Sequence, residues 1–375
     1  MVRIGLAFFP PIVIAGLAAA QPTAAPGLSP GGEIAFSRIR GEAGDIYLVN
    51  ADGSGLRNLT RSPADDAGPS WSPDGRRITF RRSPADNFDD GDIYVVSVDG
   101  SGLRRLTRTA DDDWEPSWSP DGRWIAFMRF RGRDSDIYVV KADGSTHARL
   151  VSKSGFGPQW SPNGREIAFL RRDRAAPNRP GRCALYIMKR DGTKQRKVAA
   201  RVDQPSIFAW SPRGRRIAFA SASRTASRTA PGKQIRVVDS GRVRNLTPNG
   251  RWNWGPTWSP NGRRIAFWRG NNDDGYGDPG EPVEAVIQVI NADGTRARRL
   301  TATGNISLGP AWSSSGRKIA FLRGDVDKTL WVMNHDGSGQ RKLATQVEPQ
   351  TELVWKPLRG SMALDMANSD FCRAA

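Results

Sequence analysis

The chain has 375 residues, 38% of them apolar and 25% charged, with 40 Gly, 26 Pro, 13 Trp and 14 Phe. That much Gly and Pro excludes a helical protein and suits short strands joined by turns, with enough aromatic residues for a sizeable core. The formal net charge of +18 favours anionic partners, such as anionic lipid or an acidic envelope polymer, but the cations form no stripe interleaved with aromatics, so no nucleic-acid partner is expected.

The first predicted element is an address. Met1-Val-Arg3 is a short basic region, the apolar run Ile4 to Ala20 follows, and Ala18-Ala19-Ala20 precedes Gln21. This pattern predicts a secretory signal peptide over residues 1–20. A retained membrane anchor is the alternative, opposed by the shortness of the run and by Pro10 and Pro11 within it. No later segment could span a bilayer. The expected location is therefore extracellular or periplasmic, with no membrane span in the mature chain.

From there one phrase recurs, Trp-Ser-Pro-(Asp/Asn)-Gly-Arg-x-Ile-Ala-Phe, at Trp71–Phe80, Trp118–Phe127, Trp160–Phe169, Trp210–Phe219, Trp258–Phe267 and Trp312–Phe321. Its Trp residues, continued by Trp355, are spaced 47, 42, 50, 48, 54 and 43 residues apart. After each phrase comes an alternating strand such as Asp92-Ile-Tyr-Val-Val96, then an Asp-Gly turn and a short strand ending near Leu-Thr. Four short strands at such a period make a propeller blade, a small sheet whose two apolar faces are buried only by stacking on neighbours. The chain opens with Glu33-Ile-Ala-Phe36 lacking a Trp strand and ends with Val354-Trp355 lacking an Ile-Ala-Phe strand. The two fragments complete each other. The expected fold is all-β: a seven-bladed β-propeller over residues 30–358, closed by pairing of the Trp355 strand with the Glu33–Phe36 strand, with a tail over 359–375. Six blades with frayed ends is the alternative.

This phrase and its period resemble the TolB-like family of WD-type propeller repeats, over nearly the whole mature chain. The resemblance implies the fold far more firmly than a function, because propellers carry unrelated jobs. The family's namesake has a separate N-terminal domain that this sequence lacks between signal and repeats, so a Tol-system role does not follow from the likeness.

The recurring Trp residues and the Asp of each Asp-Gly turn read as packing and turn chemistry. Binding is expected where blades differ, on the face carrying the long loops and the links between blades. The links nearest the central channel hold Asp65, Asp66, Asp111, Asp112, Asp113, Trp114, Glu115, Asp203, Gln204, Trp252, Asn253, Trp254, Asn305, Glu348 and Gln350. An acidic, amide-rich mouth with exposed indoles could hold a cationic peptide or stack on a sugar; plain turn hydrogen bonding by the same residues is the competing account. The expected function is an exported or cell-envelope scaffold taking a peptide or protein segment there. A carbohydrate-binding or carbohydrate-active propeller is the alternative, and a glycan or acidic envelope polymer the second partner class.

No enzyme is expected: there is no Gly-x-Ser-x-Gly elbow, and His147 and His335 are the two histidines. No cofactor is expected either, apart from a weak Ca²⁺ candidate at Asp273, Asp274, Asp278 and Glu281, which lacks EF-hand spacing. The two cysteines, Cys183 and Cys372, fall on blades nearly opposite each other and are expected not to pair within one molecule.

Overall fold

The computed structural model describes residues 32–41, 43–87, 89–132, 134–172, 182–203, 208–222, 232–247, 252–271, 284–324, 328–348 and 353–358. These residues form 28 strands and no helix. No helix among them is therefore long and apolar enough to cross a membrane. The expected signal peptide, the tail, the Ca²⁺ candidates, Gln204, Gln350, Cys372 and the Asp203 side chain lie outside the described residues.

The strands follow the repeat. β1 (Glu33–Arg40), β2 (Ala43–Asn50) and β3 (Arg57–Asn58) form an antiparallel meander. Complete four-stranded antiparallel units follow, first β4 (Asp65–Trp71), β5 (Arg77–Ser83), β6 (Asp92–Ser97) and β7 (Arg104–Arg105). Next come β8 (Asp113–Trp118), β9 (Trp124–Arg131), β10 (Asp134–Lys141) and β11 (Arg149–Ser152). Then follow β12 (Phe156–Trp160), β13 (Glu166–Arg172), β14 (Arg182–Lys189) and β15 (Arg196–Asp203). β16 (Phe208–Trp210), β17 (Arg216–Ala222), β18 (Lys233–Asp239) and β19 (Arg242–Asn245) make another unit. β20 (Trp252–Trp258), β21 (Arg264–Gly270), β22 (Ala285–Asn291) and β23 (Arg298–Arg299) form the next. β24 (Ser307–Trp312), β25 (Lys318–Arg323), β26 (Lys328–Asn334) and β27 (Arg341–Val347) follow. The last strand, β28 (Val354–Trp355), pairs antiparallel with β1, Trp355 opposite Ile34 and Val354 opposite Ala35.

The Ile-Ala-Phe phrase is explained by the two-residue period of a strand. In β9, Ile125 and Phe127 enter a cluster with Trp118, while Ala126 faces the other way into a cluster with Trp160 of the following unit. Ala266 likewise meets Trp312 of the following unit, and Ala35 meets Trp71. The middle residue must be small because the next unit's indole lies over it. Five of the repeat indoles also donate their Nε1–H to the carbonyl just before the preceding unit's Trp. Trp160 reaches Ser117 O at 3.2 Å, Trp210 reaches Gln159 O at 3.3 Å and Trp258 reaches Ala209 O at 3.1 Å. The same bond runs from Trp355 to Ala311 O at 2.9 Å and from Trp71 to Val354 O at 3.0 Å.

Turn chemistry at the short-turned end is as the sequence implies. Ser72 O accepts from Gly75 N at 2.8 Å, and the Asp74 carboxylate accepts from Arg76 N at 3.0 Å. The outer strands add a second tie between units: an Arg of the fourth strand donates to a carbonyl in the next unit's Asp-Gly turn region. Arg57 reaches Val98 O at 2.6 Å, Arg149 reaches Asp191 O at 3.2 Å and Arg244 reaches Ala292 O at 2.8 Å. Arg341 makes the same contact with Ala51 O at 2.9 Å.

Candidate binding site at the inner strand ends

The first strands of successive units pack side by side, β4 on β8, β8 on β12, β20 on β24, β24 on β28 and β28 on β4, so their starting ends form one inner rim. β4, β8, β12, β20 and β24 each hold a bulge three residues before their Trp. Gly68, Gly157, Gly255 and Gly309 sit there at φ of 62, 61, 55 and 56°, each followed by Pro, and the register with the next strand shifts at that point. Glycine takes this left-handed conformation without steric cost. In β8 the position is Glu115, at φ 54°.

Glu115 is thus a strained residue where its counterparts are Gly. A Cβ built on Gly68 or Gly309 meets nothing within 4 Å, so a side chain at this position is not blocked at its root. The Glu115 carboxyl reaches across to the next unit, its Oε2 3.6 Å from where a Cβ on Gly157 would stand. Both carboxylate oxygens are buried, and neither meets hydrogen-bond geometry with a described residue. Burial pushes this carboxyl up to about 8, opposed by the Gly157 backbone.

Beside it, the links carrying Asp65, Asp112, Trp114 and Glu348 converge on Arg81, a guanidinium 1% exposed. Arg81 Nε and Nη2 donate to Asp112 Oδ1 at 3.0 and 2.8 Å, and Nη1 lies 3.8 Å from Asp65 Oδ2. The Trp114 indole stacks on the guanidinium, 4.0 Å from its carbon, and its N–H donates to Asp112 Oδ2. Gly91 N donates to Asp112 Oδ1 at 2.9 Å. A Cβ on Gly91 would fall 2.3 Å from Arg81 Nε, so the approach requires glycine. Glu348 is pushed up to about 7, by burial first and the Asp65 charge second, against a Ser37 hydrogen bond and the Arg81 charge. Three carboxyls around one guanidinium leave this part of the rim acidic.

Other predicted residues are used differently. Asp66 and Asp113 are fully buried and do not line an open mouth. Arg82 Nε and Nη2 clamp Asp66 at 2.6 and 2.7 Å, and Arg129 clamps Asp113 at 2.6 and 2.9 Å. Burial alone would lower the Arg129 guanidinium, yet the Asp113 pair holds it above its ordinary value. Trp254, expected as an exposed indole, is 2% exposed. It lies in a stack between Trp252 and Trp268, with centroids 6.3 and 5.7 Å away, and Lys233 Nζ sits 3.3 Å from its ring centre. Asn253 is buried too, accepting from Arg269 at 3.1 Å and donating to Lys233 O at 2.7 Å. Asn305 is exposed. The rim therefore divides: Asp65, Asp112, Trp114 and Glu348 gather around Arg81, Glu115 reaches toward Gly157 of the next unit, and Trp252 and Trp254 with Lys233 build a packed cation–indole stack elsewhere.

Sequence reasoning passed over the arginines. Their signal is visible in retrospect: an Arg stands two residues after the repeat's Phe at Arg38, Arg82, Arg129, Arg171, Arg269 and Arg323. Arg129 lies over Tyr138 at 4.5 Å, Arg171 over Tyr186 at 4.7 Å and Arg323 over Trp331 at 4.2 Å, an internal cation–aromatic ladder. Cys183 is buried. Among the described residues no group of three or more His, Cys, Asp or Glu is placed to hold a metal ion.

Known proteins share both sequence and architecture with this arrangement. A 41-residue stretch is 46% identical to the Tol-Pal system protein TolB of Anaeromyxobacter dehalogenans, covering 11% of this chain and 9% of that relative's length. The crystal structure of TolB from Acinetobacter baumannii superposes with a TM-score of 0.52 at 19% identity, covering 87% of this chain and 82% of that one. An oligogalacturonate lyase in complex with manganese superposes at 0.59 with 12% identity, covering 90% and 97%. Such identities speak for the fold alone. The sequence profile of the TolB beta propeller domain matches residues 84–177 and 156–359, and the chain belongs to that family.

Proposed function

We propose that this chain is an exported, non-catalytic binding scaffold of the cell envelope, a closed ring of seven blades that takes a basic segment of a peptide or protein partner at the Arg81–Glu115 part of its inner rim. For the ring, the support is that β28 completes β1 and that the inter-unit bonds of Trp71, Trp355 and Arg341 repeat those made elsewhere along the chain. For a protein partner, the support is the match to a relative named as a protein of the Tol-Pal system.

The observation that carries the binding reading is Glu115. A carboxyl at a left-handed bulge, buried with only the Gly157 backbone approaching it among the described residues, costs stability twice over. A lysine or arginine side chain entering from the rim would relieve one of those costs, and Asp65 and Glu348 would draw it there. Fluorescence anisotropy with an array of labelled peptides, half of them Lys- or Arg-containing, tests this. Basic peptides should bind in preference to acidic ones, and Glu115→Gln with Glu348→Gln should weaken them about tenfold or more. Equal binding by the double variant would remove the rim as the site.

A further inference from the structure

The opposite, short-turned end holds a second feature. A groove of about 490 Å³ opens between three units there, lined by Arg77, Arg123, Trp124, Lys141, Asp143 and Arg190. Four cations thus meet one carboxylate. That carboxylate is occupied by its own turn, accepting from Ser145 N at 2.9 Å, and these hydrogen bonds hold it below the usual carboxylate range. No described carboxylate lies within ion-pair distance of any of the four cations.

Two paired positions in the lining distinguish this unit from most of its sisters. In three sister units the residue ending the third strand is Asn50, Asn291 or Asn334, whose side-chain amide closes the turn on Ser54, Thr295 or Ser338 at 3.1, 3.0 and 2.9 Å, and in the others it is Ser97, Lys189 or Asp239. Here that residue is Lys141, and the residue opposite it in register is Trp124, an indole where the sister units have the charged Glu33, Arg77, Glu166, Arg216, Arg264 or Lys318. Arg190 replaces the small apolar residue found at Ala51, Val98, Ala142 and Ala292, and lies 5.2 Å over the Trp124 ring. Arg77 lies 4.8 Å over Trp118. Stacking on the indoles fixes two guanidinium planes, which lowers the entropy lost when their forks take up a ligand.

From this we infer that the groove binds a multiply charged oxyanion, a phosphate-bearing ligand of about diphosphate size. A lone carboxylate would leave most of the positive charge unanswered. Two arginine forks on aromatic faces suit phosphate oxygens bidentately, with Lys141 as a point charge, and the volume lies within the range of small-ligand sites. The site stands at the other end of the molecule from the rim proposed above and does not depend on it.

The test is calorimetric titration of the full chain with inorganic pyrophosphate at low salt. One saturable site is expected, tighter than for orthophosphate and weakening as salt rises from about 50 to 200 mM. Lys141→Asn and Arg190→Ala each install the residue type that sister units carry, so folding should persist, and each should weaken binding about tenfold or more. Arg263→Ala and Arg317→Ala, exposed arginines at the equivalents of Arg123, should leave binding unchanged. A competition arm with phosphatidylcholine vesicles containing phosphatidylglycerol separates sources: displacement of pyrophosphate marks a lipid headgroup as the ligand, and its absence marks a soluble one. Absence of pyrophosphate binding, or equal losses in the groove and control variants, would overturn the inference.

Discussion

Glu115 stands at an inner-strand bulge where every other described counterpart is glycine, and its energetics follow from that position. The left-handed backbone costs about 1–3 kcal/mol, partly offset by the chain entropy that glycine would lose on folding. Glu115→Gly should therefore raise stability by about 1 kcal/mol or more, readable as a higher Tm; a lower Tm would mean that the carboxyl is stabilised by a contact that its buried oxygens do not reveal. The carboxyl also makes stability depend on pH. Its folded value of about 8 lies above the ordinary 4.5, so between these values the folded chain holds a proton that the unfolded chain has released. Stability is therefore full below 4.5 and falls as pH rises toward 8, at up to about 1.4 kcal/mol per unit. Glu348, at about 7, adds a slope of the same sign that ends sooner. Urea melts at pH 5, 6.5 and 8 on Glu115→Gln should show a flatter fall than on the parent. An identical fall would show the carboxyl to be solvated.

At the scale of the strand, the indole bond between units provides its own control. Trp160 donates to the preceding unit, whereas the Trp312 Nε1 is buried with no hydrogen-bond partner among the described residues. Trp160→Phe should lose about 1 kcal/mol more than Trp312→Phe, since removing an unsatisfied donor carries little penalty. Equal losses in chemical denaturation would mean that shape alone decides the position. Ala266→Leu should cost about 1–3 kcal/mol by overpacking against Trp312. These elements were legible in the sequence because packing between repeats demands the same residue at the same place each time, and Trp-Ser-Pro-Asp-Gly with Ile-Ala-Phe announces itself by recurrence. The rim was legible only as a list of links. Asp66 and Asp65 are neighbours in sequence and look alike, yet strand alternation turns one into the sheet against Arg82 and the other toward Arg81. Trp254 gave no sign of burial because its cover, Trp268 and Lys233, comes from strands far apart in the repeat pattern.

Across the whole molecule, the two ends of the described chain are built into one unit. Lys356 N donates to Glu33 O at 2.7 Å, Lys356 Nζ lies 3.1 Å from Glu33 Oε2, and Ser314 Oγ donates to Lys356 O at 2.7 Å. The last unit's Ala320, Leu330 and Val332 share a cluster with Ile34, Phe36 and Trp355. Removing residues 350–375 takes β28 with it, exposes one edge of β1 and leaves Trp71 without its acceptor. Stability should fall by several kcal/mol, as for loss of a buried aromatic together with its strand; an unchanged midpoint in guanidinium would mean that β28 contributes little. The same join sets a clock. β1 is among the first strands to leave the ribosome, and its partner β28 is separated from it by the rest of the chain. During synthesis β1 must wait with an unpaired hydrogen-bonding edge, and its pairing with β28 joins segments more distant in sequence than any other paired strands described. A nascent chain stalled before Val354 should therefore capture a synthetic β28 peptide, and the completed protein should not.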